Sequence, residues 1–443
     1  MEKMFAMQRT VFRWKVVLVL FLVGWPQTTL LAEETTSASF KGLLTRTLEH
    51  NPQIRDVREK LNAAMALVPQ ARSQLLPSVS LEWDNTLASS QWKGGSSQSD
   101  PTSATVSLSQ DLFNLEAIRD YRRVEPYVKA AQMDLEGVRQ KVFLEFVELV
   151  TSLVQGRDVL ELSEKNHELT RSHWDATRIR FEAGELTQTD VSQSLARVYA
   201  AKAGWISAKA DLQSSRARLM ELAAEEIPER IEVPLIQLDL VRSPLAELSG
   251  LLEKRPDMEA ERLRVQAEQS NVEARKAGYL PTASLSSSGT RTWDPASGVS
   301  GPEEDVSMTV KLSWPLYSGG LTNAQVEEAV AKRESRQAML ERLRMTALRE
   351  LKVALLDYEK NEAVDQANEV RVTAAKDAMD GVSKEYQVGT RTSLDLLDAQ
   401  NEFFAAETEK VKSRHGLNLS RFRVLGVLGM LSLGKLESLS VSK

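Results

Sequence analysis

Two aspartates, Asp395 and Asp398, stand three residues apart in the stretch YQVGTRTSLDLLDAQ, Tyr386 to Gln400. On a helix that spacing puts both carboxylates on one face. Paired acids can relay a proton, attract a cation, or raise each other's pKa by repulsion. A paler copy, FEAGELTQTDVSQSL, lies at Phe181 to Leu195 and has only the first acid, Asp190; Gln193 stands where Asp398 would. Other candidate chemistry is sparse. His167 and His173 are six apart, so they do not share a helix face as metal ligands would. Glu164 and His167 have Glu-x-x-His spacing, but a di-iron bundle needs two such pairs and two further Glu. There is no GxSxG, no GxGxxG, no P-loop and no Cys. These residues predict no enzyme, no cofactor and no metal site.

The acids need elements to hold them. Thr187 with Asp190, and Thr392 with Asp395, have the spacing of a hydroxyl N-cap and an acid three residues on. Gly184 and Gly389 suit the ends of incoming helices. Capping accounts for Asp190 and Asp395. It does not account for Asp398, which belongs to one copy only.

The two turns are part of a duplication of the whole chain. Asn51-Pro52 recurs as Arg255-Pro256, and Leu76-Pro77-Ser78 as Leu280-Pro281-Thr282. Val106 to Phe113 recurs as Val310 to Tyr317, all at an offset of 204 (256 − 52, 281 − 77, 310 − 106). Phe181, Gly184, Thr187 and Asp190 recur as Tyr386, Gly389, Thr392 and Asp395 at offset 205 (395 − 190). Each copy predicts a helix (Pro52–Leu75, Pro256–Tyr279) that a Leu-Pro step ends, since the residue before Pro leaves helical geometry. Two strands follow, near Ser78–Ala88 and Ala104–Leu112, then near Thr282–Thr292 and Asp305–Leu316, with apolar and polar residues alternating. Gln91–Ser103 and Asp294–Asp305 read as loops. Very long helices are predicted over Leu115–Glu182 and Leu321–Gln387, each roughly 100 Å if continuous. Return helices follow over Thr187–Leu222 and Thr392–Leu428. Apolar spacing of three and four along the long runs is that of coiled coils.

The N-terminus is expected to be a secretory signal, with a basic start, an apolar run at Val16–Val23 and cleavage after Ala32. That run is too short to span a bilayer, which takes roughly 20 residues. Residues 1–32 hold four basic groups and one acid, so the remaining chain carries −6 − 3 = −9, which argues against nucleic acid. The expected divisions are 1–32 signal peptide, 33–226 first repeat, 227–244 linker, 245–430 second repeat and 431–443 tail. Four strands cannot close a barrel alone. Export, alternation, and Trp83, Trp92, Trp293 and Trp314 in or beside the strands favour a barrel shared between subunits, with Trp at the membrane interface. A periplasmic structural or adhesive coiled-coil protein with a small soluble sheet is the alternative.

The duplicated Leu-Pro-Ser/Thr strand entries, LSWPLYSGG at Leu312–Gly320, and YQVGTRTSLDLLDAQ together resemble the TolC-like outer-membrane efflux protein family over residues 40–430. The resemblance implies a mainly α fold with a small β part. Long antiparallel coiled-coil helices would form a trimeric α-barrel, and four strands per chain a shared twelve-stranded outer-membrane β-barrel. It implies a homotrimer in outer-membrane lipid of a Gram-negative cell, with its helices in the periplasm. An adaptor and an inner-membrane pump of RND, ABC or MFS type would be its partners in efflux or type I secretion. Asp395 and Asp398 would form acidic rings at a closed entrance. Tyr386 and Arg391 would latch one helix pair to Thr189 and Asp190 of its neighbour.

Overall fold

Proline and apolar spacing set most helix boundaries. The structure is a computed structural model; it describes residues 40–92, 95–99, 101–228, 231–236, 244–293, 295 and 301–434. The expected signal peptide, parts of the linker and of the loop at Asp294–Asp305, and residues 435–443 of the expected tail lie outside these. The chain runs α1 (Phe40–His50), α2 (Pro52–Ser73), β1 (Ser78–Asn85), β2 (Ala88–Trp92), β3 (Gly95–Ser99), β4 (Thr102–Phe113), α3 (Leu115–Glu182) and α4 (Gln188–Ala223). It continues with α5 (Leu245–Leu252), α6 (Pro256–Ala277), β5 (Thr282–Trp293), β6 (Glu303–Ser313), α7 (Leu321–Gln387) and α8 (Ser393–Val427). α3 and α7 are continuous over 68 and 67 residues. No described helix is long and apolar enough to cross a membrane, which says nothing of strands.

The apolar core lies around the middle of α3. Val142, Phe143, Phe146, Val147 and Val150 pack against Leu43 and Leu44 of α1, Leu219 of α4, Leu248 of α5, Leu351 of α7 and Phe422 of α8. Phe40 meets Phe146 edge-on at 5.3 Å. These positions recur every three or four residues, so one stripe of each helix reaches the core.

At this level each return helix ends on the start of a shorter one. Asn51, the N-cap of α2, donates from Nδ2 to the Leu222 carbonyl of α4 at 3.2 Å. Its counterpart Arg255 precedes α6 and donates from Nη1 to the Val427 carbonyl of α8 at 3.1 Å. The accepting residues are equivalent under the repeat (427 − 222 = 205). Each junction supplies a partner to a helix-terminal carbonyl that has none within its helix. Arg255 also grips Glu350 of α7 at 3.1 Å and Asp257 at 2.7 Å, with its side chain only 14% exposed. A Cβ on Gly429 (φ +68°) would sit 3.1 Å from Arg255 Cγ, so only glycine suits this approach.

The antiparallel sheet has the order β1-β4-β5-β6. Both hairpins have one register: Ser78 opposes Ser109, and Thr282 opposes Ser313, a shift of 204 at each position. The stretch expected as a loop at Gln91–Ser103 instead holds the end of β2, the whole of β3, which pairs with β2, and the start of β4. Ala88 opposes Ser99, which continues the β1–β4 register outward (88 + 99 = 78 + 109). Hairpin geometry outweighs the low apolar content of this Ser- and Gly-rich run. β6 stops at Ser313 rather than Leu316, because Pro315 cannot donate to a ladder.

Alternation gives the sheet two chemically distinct faces. One carries Val79, Leu81, Trp83, Val106, Leu285, Val306, Met308, Val310 and Leu312. The other carries hydroxyls, including the row Ser80, Ser107, Ser288 and Ser307. Trp83 and Trp293 lie 5.4 Å apart toward the end remote from the helices. Trp314 lies at the helix end and donates from Nε1 to the Tyr279 carbonyl at 3.1 Å. Trp92 is on β2, and its side chain lies outside what the structure describes. Glu304 and Trp314 are ten residues apart (314 − 304), ~33 Å along a strand. At a tilt near 45° that is ~23 Å, close to the apolar band of an outer-membrane barrel.

Candidate functional site

The site is built at the two α-hairpin turns. α3 closes with Gly184 at φ +80° and α7 with Gly389 at φ +82°. Left-handed glycine lets the following amide reach back: Glu185 N–H to the Arg180 carbonyl (2.9 Å), Thr390 N–H to the Glu385 carbonyl (3.0 Å). Both return helices open with a full capping box. Asp190 Oδ2 accepts from the Thr187 amide at 2.8 Å and hydroxyl at 2.7 Å. Asp395 Oδ2 accepts from the Thr392 amide at 2.9 Å and hydroxyl at 2.8 Å. The Thr187 hydroxyl bond, then its amide, holds the Asp190 carboxyl below the usual range. The Thr392 amide, then its hydroxyl, does the same for Asp395, with Arg391 adding to it.

Asp398 is differently placed. It is exposed on α8, and its Oδ1 accepts from Arg197 Nη2 of α4 at 2.7 Å. The pair joins the first helix hairpin to the second beside a cavity of about 210 Å³ lined by Ser163, Asn166, Thr170, Ala200 and Gln400 among others. So the two acids share a face but not a role: Asp395 closes a cap, and Asp398 reaches across. Sequence reading passed over Arg197. A signal existed, because the repeat sets Arg197 against Glu402 (402 − 197 = 205), a reversal of charge one turn from the Gln193/Asp398 difference.

Tyr386 packs between hairpins. Its ring lies 5.9 Å from His173 and under Arg180 at 5.1 Å, both on α3. His173 Nε2 also meets the buried Ser393 hydroxyl at 3.1 Å. Arg391 pairs with Glu385 of its own turn at 2.8 Å. Among the described residues no hydrogen bond, ion pair or ring contact within the chain joins Tyr386 or Arg391 to Thr189 or Asp190. Thr189 is exposed in the first turn of α4. No described cluster of acids and histidines is suited to a metal.

Burial, then Arg180, pushes His173 below the ordinary histidine pKa. A group whose folded pKa is depressed binds fewer protons folded than unfolded below about pH 6.5, so its contribution is present above that value and lost as pH falls. Hydrogen exchange in the first turn of α8, corrected for intrinsic rate, is expected to accelerate as pH drops from about 7.5 to about 5.5. His173→Gln should flatten that response; an equal response in both proteins would remove His173 from the account.

A family model described as "Outer membrane efflux protein" matches residues 43–225 and again 248–429. Outer membrane efflux protein BepC of Brucella suis biovar 1 is 26% identical over 434 residues, covering 97% of this chain and 94% of BepC. Outer membrane protein TolC of Escherichia coli K12 is 23% identical over 399 residues, covering 86% and 80%. Alkaline protease secretion protein AprF of Pseudomonas aeruginosa is 24% identical over 405 residues, covering 88% and 84%. The Campylobacter jejuni CmeC outer membrane channel shares the fold, with a TM-score of 0.78 at 16% identity over 90% of this chain and 88% of CmeC.

Proposed function

Because the chain belongs to the outer membrane efflux protein family, we propose that three copies close one twelve-stranded barrel and form a passive exit duct gated at its periplasmic turns. The family makes it an outer-membrane channel of efflux or secretion, and not an enzyme. The observation that carries the trimer is the sheet with two open edges. β1 and β6 each pair on one side only, and a sheet left this way invites another chain. The outer helices support it too. Tyr199 and Ile206 of α4, and Leu356 and Val370 of α7, are exposed.

In this reading Asp395 and Asp398 of three chains set six carboxylates around a narrow axis, where they attract cations. Tyr386 and Arg391 latch to Thr189 and Asp190 of the neighbouring copy. Arg197 offsets Asp398 from within. Opening is a shift between two arrangements of the hairpins, driven by an adaptor and an inner-membrane pump that contact them differently. An RND, ABC or MFS pump fits equally.

Purified protein in a planar bilayer should migrate as a heat-modifiable trimer and conduct in steps, cations over anions. Asp395→Asn with Asp398→Asn should weaken cation preference and divalent block. Arg197→Ala should deepen divalent block, since it leaves Asp398 without its counter-charge. A monomer with no steps ends the duct reading. Steps with unchanged selectivity in all variants end the gate alone.

A further inference from the structure

The duplication determines a contact that a single chain does not contain. Since each hairpin has the same register, β4 with β5 is the joint between two repeats, and β6 with β1 of the next copy is the same joint one repeat on. We propose that β6 pairs with β1 of the partner subunit in the β4–β5 register, which sets Lys311 opposite Asp84 of the partner subunit as an ion pair facing the lumen. This rests on the trimeric barrel proposed above.

Inside the chain Val106 opposes Gly289, Ser107 opposes Ser288, Leu108 opposes Ser287 and Gln110 opposes Leu285. Adding 204 to the first residue and subtracting it from the second carries each pair to the open edges. Val310 then meets the partner's Asn85, Lys311 the partner's Asp84, Leu312 the partner's Trp83 and Trp314 the partner's Leu81. The faces agree. Val310 and Leu312 lie on the apolar face, as do Trp83 and Leu81, and Trp314 continues their alternation in sequence, so the transferred register keeps that face continuous. A slip of one residue would turn every side chain over.

The charges carry the argument further. At the internal joint the two positions are Ser107 and Ser288, small and neutral. At the open edges the equivalents are Lys311 and Asp84, opposite in charge. Both are exposed, and among the described residues neither makes an ion pair within the chain. Directly opposed unlike charges stabilise a strand pair, and unlike ends distinguish one edge from the other. A joint within one chain needs no such recognition; a joint between chains does. The strand beyond β6 fits as well. Trp314, Leu316 and Tyr317 are 61%, 84% and 89% exposed and outside any ladder, whereas their counterparts Gln110, Leu112 and Phe113 belong to β4. Pro315 stands where the first repeat has Asp111, and β4 also has β5 beside it there, whereas β6 has no neighbour on its open side.

The chain has no Cys, so engineered thiols report without background. Lys311→Cys with Asp84→Cys should be oxidised in outer membranes to a covalent trimer, because opposed strand residues lie within disulfide reach. The two-residue slips that preserve the faces are tested by Lys311→Cys with Glu82→Cys, and Lys311→Cys with Thr86→Cys. The matched pair should give several-fold more covalent trimer than either. Asp84→Lys and Lys311→Asp should each lower the temperature at which the trimer dissociates, and the two combined should restore it. Equal or greater linking by a slipped pair overturns the register, and no rescue by the swap overturns the ion pair. Heat-modifiable migration of the same samples separates these from failure of the duct reading, in which no trimer forms at all.

Discussion

Arginine at position 308 is expected to abolish the membrane-inserted trimer. Met308 sits mid-way along β6 on the apolar face and is 72% exposed. An Arg facing lipid near the bilayer midplane costs about 2–4 kcal/mol per site. Three copies would therefore lose ~6–12 kcal/mol, comparable to the whole stability of an ordinary domain. The neighbour Thr309 faces the hydroxyl-lined side, so Thr309→Arg should leave trimer yield near wild type. Heat-modifiable trimer in the outer-membrane fraction measures both. If Thr309→Arg loses the trimer and Met308→Arg keeps it, the two faces have been assigned the wrong way round.

Arg255→Ala is expected to be the most damaging change among the helices. It strips the Val427 carbonyl, Glu350 and Asp257 of one shared partner. Removing one side of a buried ion pair costs about 3–5 kcal/mol; the two acids are partly exposed, so about 2–3 kcal/mol is the expected loss. Arg255→Asn copies the first repeat, where Asn51 makes the same bond to Leu222, and should recover part of it. The midpoint of thermal unfolding should rank wild type above Asn above Ala. An alanine variant as stable as wild type would show that Gly429 and Pro256 hold the junction by packing alone.

The capping boxes were legible because a hydroxyl and an acid three residues apart satisfy orphan amides in any protein. The spans of α3 and α7 were legible because apolar spacing carries on between turn residues; the one proline, Pro126, falls inside α3 without ending it. β2 and β3 were not, since Ala88–Ser99 lacks the apolar alternation that marks a half-buried strand; only continuation of the β1–β4 register explains their pairing. Arg197 was missed for a different reason. It lies 201 residues from Asp398, and no local spacing announces a contact between two hairpins. The end-on junctions were hidden likewise. Asn51 reads as an ordinary cap, and nothing near it shows that it serves two helices.

The shared register of the two hairpins has a consequence for symmetry. Units that pair identically are interchangeable, so six half-length chains would close the same ring as three full-length ones. Fusion cuts the intermolecular closures from six to three, and the sets of translational and rotational freedom lost on assembly from five (6 − 1) to two (3 − 1). It also releases alternate units from being identical. A six-fold ring would have to carry every acid six times or not at all. The fused chain can hold a carboxylate at Asp398 and an uncharged amide at Gln193, so in the proposed trimer charge would alternate from one turn to the next around the axis.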